Sequence, residues 1–186
     1  MKDKPPYRTL SSEIAWSCPW FRVRRDELLF PDGRPGVYNV VEHPGAVWVV
    51  PVTTAGEIVL IHNYRYAVDD WCWELPAGGL KLGRTPLAAA QEELREEAGG
   101  RATGWQEVNW FYTTNGVSNE KGYVFLATGV TLSEPEPEVA EVMSIHTLPA
   151  AQALNMARSG EITDAPSALA LLQAEPFMAQ MQVPGI

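Results

Sequence analysis

The chain has 186 residues, a formal net charge of −9, and a composition that is 46% hydrophobic and 20% charged. That length favours one main domain with a terminal extension, and that composition supplies ample core. The acidic balance argues against a nucleic-acid surface, whose footprint is clustered Lys and Arg, and obliges an anionic substrate to meet local cations or a metal ion.

The N-terminal stretch MKDKPPYRTLSSEIAW has no apolar run long enough for a signal peptide, and no segment approaches the length of a membrane span, so the expectation is a chain without membrane contact. Cys18 and Cys72 stand in no metal-ligand spacing and read as reduced thiols of a cytoplasmic protein. Residues 1–43 are broken by Pro31-Asp32-Gly33 and Pro35-Gly36 into short segments at 20–23 and 37–41, which predict strands of a small antiparallel sheet. Such a sheet cannot bury both faces alone and must pack on the main domain or on a second subunit.

Two runs dense in Val and Ile, 46–52 and 57–62, are joined by Thr53-Thr54-Ala55-Gly56 and predict a hairpin at the centre of a second sheet. Arg65 follows just past a strand end, where a guanidinium can fork onto a phosphate. Pro76-Ala77-Gly78-Gly79 reads as a loop that brings backbone close to a ligand or a neighbouring element. Thr85-Pro86 is an N-cap followed by a proline at the first helical position, and Gly99-Gly100 is a stop. Between them Leu87, Ala90, Leu94 and Ala98 predict an inward face.

Glu93, Glu96 and Glu97 share the adjoining arc at i+3 and i+4, where like charges repel, and they sit in the last turns, where the helix dipole disfavours carboxylates. A solvated acidic face is one account of them. A hard divalent cation held by carboxylates, water and substrate phosphates is the other.

Beyond the helix, strands are expected at 105–112, 123–128 and 142–147, a glycine-containing loop at 113–119, and a Pro- and Glu-rich mobile loop at 132–140. Helices are expected at 150–158, closed by Gly160, and at 164–174, with a disordered tail around Pro184-Gly185. No internal repeat is visible.

The stretch ELPAGGLKLGRTPLAAAQEELREEAGG resembles the Nudix box, a Gly, five residues, a Glu, seven residues, then Arg-Glu-aliphatic-x-Glu-Glu-x-Gly-aliphatic. Gly78, Glu93, Leu94, Glu96, Glu97 and Gly99 fit the pattern. Arg84 stands in place of its Glu, Glu92 in place of its Arg, and Gly100 in place of its last aliphatic. The resemblance is to the branch that cleaves ADP-ribose and nucleoside-diphosphate sugars. It implies an α/β Nudix fold, an α/β/α sandwich around a mixed sheet spanning 44–180, with the small N-terminal antiparallel sheet of 1–43 making an intertwined homodimer. The implied reaction is Mg²⁺-dependent (Mn²⁺ being the alternative ion) hydrolysis of a diphosphate linkage in a nucleoside-diphosphate-linked small molecule, giving a nucleoside monophosphate and a sugar phosphate.

By the same resemblance the Ala77 carbonyl, Glu93, Glu96 and Glu97 hold metal, with Glu93 and Glu96 also counted as catalytic. Glu138, with Glu136 and Glu141 as neighbours, activates water from the acidic loop; Arg65 contacts the diphosphate and Trp20 stacks on the nucleobase. The branch often has a proline where Asn115 stands, and the exchanged charges of Arg84 and Glu92 suggest a compensating pair. The rival reading is a non-catalytic domain that senses a nucleotide, and a triphosphate-sanitising enzyme is a third.

Overall fold

The computed structural model describes residues 5–81, 83–135, 142–184 and 186. It divides into two compact units, one formed by residues 1–45 and 112–121 and the other by 46–111 and 122–186.

The first unit is a three-stranded antiparallel sheet, β1 (Arg8–Ser17), β2 (Arg22–Leu29) and β3 (Pro35–Glu42), with β2 in the middle. β1 was not foreseen, because its alternating Ser, Glu and aliphatic residues lie in a stretch without turn punctuation. Trp20 is not on a strand but in the turn between β1 and β2, 72% exposed. Asp26, buried on β2, accepts from Arg24 Nε at 2.9 Å and Nη2 at 2.8 Å, and Glu42 on β3 accepts from Arg22 Nε at 2.5 Å and also pairs with Arg24. The segment 112–121 belongs here because β3 binds it: Val41 N–H donates to the Val117 carbonyl at 2.8 Å and Tyr38 Oη to that of Gly116 at 2.6 Å. Asn115 lies in the turn of that segment.

The second unit is built on a mixed sheet in the order β11-β5-β4-β10-β8, with β6 on β5, β7 on β4 and β9 on β10. Its strands are β4 (Ala46–Thr53), β5 (Glu57–Arg65), β6 (Asp70–Glu74), β7 (Ala77–Gly79), β8 (Gly100–Arg101), β9 (Gly104–Tyr112), β10 (Lys121–Leu132) and β11 (Met143–Pro149). β4 is buried along nearly its whole length and pairs in parallel with β10, which explains its continuous apolar run rather than an alternating one. The β4–β5 hairpin forms as expected, with Val52 opposite Ile58.

Both faces of the sheet are covered. Val47, Val49, Val59, Phe125 and Ala127 pack on one side against Ala89, Ala90, Leu94 and Ala98 of α1 (Pro86–Ala98). On the other side Val50, Leu60, Val124 and Leu126 pack against Ala153 and Leu154 of α2 (Ala150–Ser159) and Ala170, Leu171, Ala174 and Met178 of α3 (Ala165–Gln180). The result is the expected α/β/α sandwich.

Several local expectations differ from the structure. Residues 77–79 are not a free loop but the short strand β7, paired antiparallel with β4 through Trp48 opposite Ala77. Leu87 is 39% exposed although it lies angularly on the buried face, and Ala89 is buried instead. α3 does not stop near Ala174 but runs through Pro176, since burial of Met178 against the sheet holds the last turn despite the missing N–H. Of the tail, Val183 is buried and Pro184 lies against Gly56, while Gly185 lies outside the described residues.

Candidate active site

The site is assembled from one helix and one short strand. α1 begins where Thr85 Oγ1 accepts from Ala88 N–H at 3.2 Å, and ends where Gly99 takes the left-handed conformation at φ 62° and donates back to Arg95. These caps set the ends of α1, and the packing of Ala89, Ala90, Leu94 and Ala98 on the sheet sets its rotation, and with it the direction of Glu93 and Glu97.

Glu97 is turned into the protein, 8% exposed, and its Oε2 accepts the Ala77 N–H at 2.8 Å. A residue in an extended strand directs its N–H and C=O to the same side, and the pairing alternates along an antiparallel ladder. Val49 N–H donates to the Pro76 carbonyl at 2.9 Å, so the next residue, Ala77, points away from β4 and its carbonyl faces the side that Glu97 occupies. Gly78 is in contact with Glu93 so closely that a Cβ on it would overlap the Glu93 carboxylate. The glycine is therefore required by close approach, not by a positive φ.

Glu96 is turned away from this pair toward Arg95 Nη2, at 2.6 Å. Consecutive helical residues stand about 100° apart, so Glu96 and Glu97 cannot both face the strand. Among the described residues no three His, Cys, Asp or Glu side chains close into a cage. What the fold offers is an open set, the carboxylates of Glu93 and Glu97 against the Ala77 main chain, suited to a hard cation that completes its shell with water and substrate oxygens.

Cations border this set. Arg65 grips the buried Glu74 with two bonds, Nε to Oε1 at 2.7 Å and Nη2 to Oε2 at 2.5 Å, while half its side chain stays exposed. The Glu74 carboxylate, followed by the fields of Glu97 and Asp164, holds the guanidinium even more firmly protonated than usual. Lys81 Nζ pairs with Glu92 at 3.2 Å, and this bond, assisted by the fields of Glu96 and Glu93, raises its pKa. Glu92 is thus matched by Lys81. No ion pair joins it to Arg84 among the described residues, contrary to the compensating pair expected.

Sequence reasoning passed over Glu74 and Lys81. Their signal was slight, an acidic residue ending the strand DWCWE and a lone lysine in the Gly- and Leu-rich run GGLKLG. Glu136, Glu138 and Glu141 lie outside the described residues. Trp20 belongs to the first unit and is described with it above.

Comparison with known proteins shows the family and the fold. The family model described as NUDIX domain matches residues 42–166, and that of the nucleoside diphosphate sugar hydrolase N-terminal domain matches residues 7–41. The chain is 37% identical over 161 residues to an ADP-ribose pyrophosphatase of Mycobacterium tuberculosis, covering 85% of this chain and 78% of that protein. It is 33% identical over 169 residues to an ADP-ribose pyrophosphatase of Bacillus subtilis, covering 88% and 90%. A crystal structure of an ADP compounds hydrolase superposes with a TM-score of 0.83 over 97% of this chain and 98% of that one, at 20% identity, a likeness of fold. With a Nudix fold, a Nudix box on α1 and matched family models along most of its length, the chain belongs to the Nudix family.

Proposed function

We propose that this protein hydrolyses the diphosphate linkage of ADP-ribose or of a nucleoside-diphosphate sugar, releasing a nucleoside monophosphate and a sugar phosphate. The observation that carries this reading is the buried Glu97 carboxylate on the Ala77 N–H, with Glu93 packed against Gly78. A carboxylate kept at 8% exposure beside a second one is costly unless a cation shares the site. Glu93, Glu97 and the Ala77 carbonyl would hold a divalent ion, Mg²⁺ by the hardness of the oxygen set, with Mn²⁺ able to substitute. Such an ion supplies positive charge for the diphosphate oxygens and the leaving phosphate.

The chain's own residues do the rest. Arg65, two of whose nitrogens are committed to Glu74, keeps Nη1 to reach a diphosphate oxygen, and the Glu74 pair fixes where that edge points. Glu138 takes the proton of the attacking water, with Glu136 and Glu141 as the other carboxylates of that loop. Glu96, held by Arg95, contributes charge near the ion. Trp20 supplies an aromatic face for the nucleobase.

The active species is a homodimer. β1 is exposed along its whole length, and the first unit leaves Leu10, Ile14, Trp16 and Tyr38 substantially open to solvent in a single chain, which supports a second copy covering them. Both cysteines are free, in keeping with a reducing, cytoplasmic setting. No described helix is long and apolar enough to cross a membrane.

The test is incubation with Mg²⁺ and a panel of ADP-ribose and ADP-, UDP- and GDP-sugars, with products identified by anion-exchange chromatography. Cleavage to a nucleoside monophosphate is expected. Binding of a panel member without cleavage would replace hydrolysis by the nucleotide-sensing reading, which the Arg84 and Glu92 departures motivate.

A further inference from the structure

Between β6 and β7 the segment Glu74–Ala77 is tied to several elements through both side chain and main chain. The Glu74 carboxylate is gripped by Arg65, the Pro76 carbonyl accepts from Val49 on β4, and the Ala77 N–H donates to Glu97 on α1. The Leu75 N–H donates at 2.9 Å to the hydroxyl of Ser167, which stands 92 residues away in the first turn of α3, on the other face of the sheet. Ser167 is 0% exposed and Leu75 is buried beside it, so no water stands ready to replace either partner.

The serine hydroxyl is oriented from behind. Asp164, the N-cap of α3, accepts the Ser167 hydroxyl at 2.5 Å and the Ser167 N–H at 3.0 Å. With its proton committed to Asp164, the hydroxyl presents a lone pair to Leu75. The helix cap does not need this hydroxyl, because the backbone N–H of residue 167 satisfies Asp164 whatever the side chain, and alanine is the better helix former. The one contact served by the hydroxyl toward the sheet is therefore the Leu75 amide.

We propose that Ser167, oriented by Asp164, is a positioning residue for the candidate metal site: it holds the Leu75 amide and thereby sets the Ala77 main chain against Glu93 and Glu97. The inference rests on the metal-site reading above. Losing the hydroxyl frees a buried amide, which turns to seek another acceptor and carries the Ala77 carbonyl, two residues on, out of line with the carboxylates. Partners that orient a ligand in this way typically carry 10- to 100-fold in metal affinity.

The experiment titrates the full chain with Mn²⁺ alone, reading free Mn²⁺ by electron paramagnetic resonance, for wild type, Ser167→Ala, Ser167→Thr, Ser167→Val and Glu97→Gln. Steady-state kinetics on ADP-ribose follow for each. Thr and Val differ only by hydroxyl against methyl, so the expected result is Mn²⁺ binding weakened about 10- to 100-fold in the Ala and Val variants and kept within about threefold in the Thr variant. In parallel kcat should fall more than KM rises. Wild-type Mn²⁺ affinity in Ser167→Ala, or equal losses in the Thr and Val variants, overturns the proposal.

If the Ala and Val variants do not fold, amide exchange in the wild type decides. A Leu75 amide that is protected, and further protected together with Ala77 when Mg²⁺ is added, upholds the assignment, and an unprotected or Mg²⁺-insensitive Leu75 amide overturns it. Glu97→Gln separates the two levels: wild-type Mn²⁺ affinity in that variant defeats the metal-site reading itself. Lost affinity there with unchanged affinity in Ser167→Ala defeats the role of Ser167 alone.

Discussion

Replacing Gly78 by alanine tests the geometry of the site with little confounding from stability. The backbone at Gly78 is not among the positive-φ positions, so alanine meets no conformational strain there. Its Cβ, however, would overlap the Glu93 carboxylate. Non-bonded carbon contacts are comfortable at about 3.5 Å or beyond, so the carboxylate must withdraw by roughly 1 Å or more. Glu93 is only partly buried, and the displaced group is the far end of a flexible side chain, so the fold can absorb the change by a rotamer shift of about 0.5–1.5 kcal/mol. For a chain of this size that corresponds to a drop in Tm of a few degrees at most, at about 2–4 °C per kcal/mol. A 1 Å misplacement of a reacting or ligating group, in contrast, costs on the order of 10²-fold in rate. Gly78→Ala should therefore fall about 100-fold in kcat on ADP-ribose with Mg²⁺ while its thermal melt nearly overlays that of wild type. Unchanged kcat would refute the contact between Gly78 and Glu93 as an element of the site, and a melt lowered by more than about 10 °C would show the glycine to be structural.

Arg65→Ala leaves Glu74, 5% exposed, without its partner; because half of the Arg65 side chain is solvated, the expected cost is about 1–3 kcal/mol, below the usual figure for a fully buried pair, and an unmoved urea midpoint would contradict it. Lys81→Ala and Glu92→Ala should couple by no more than about 1 kcal/mol in a double-mutant cycle, while Arg84→Ala and Glu92→Ala should be additive; coupling of the Arg84 pair in place of the Lys81 pair would reverse the assignment. In the first unit Arg24 holds Asp26 below its ordinary value of 3.8, and Arg22 holds Glu42 below 4.5. Depressed folded-state values mean stabilisation that is complete above those ordinary values and lost as pH falls through the lower folded ones, so stability should decline on the acid side of about pH 4. Asp26→Asn should flatten that acid limb in melts recorded from pH 5 to 2, and an unchanged limb would remove Asp26 from the account.

Much of this protein was legible before its structure, and the legible part is local. The ends of α1 are written in Thr85-Pro86 and Gly99, because caps act on backbone groups within three or four residues. The β4–β5 hairpin is written in two apolar runs around Gly56, and the family in the spacing of Gly78, Glu93 and Glu97. What sequence distance hides is which polar group answers which. Glu93, Glu96 and Glu97 share one arc on a helical wheel, yet only tertiary packing against β7 sends Glu97 to the Ala77 N–H and Glu96 to Arg95. Charge exchange between Arg84 and Glu92 suggested a pair, but Coulomb attraction is settled by reach, and the fold brings Lys81 instead. Arg65 bonds Glu74 although the register of β5 with β6 sets it opposite Asp70 and sets Glu74 opposite Ile61, a choice of partner that sequence spacing does not give. Ser167 read as no more than an early residue of α3, since a helix start looks the same whether or not its hydroxyl has a partner. Its hold on Leu75 exists only because α3 folds back onto the sheet and buries both groups, where an unmet N–H is far more costly than in water.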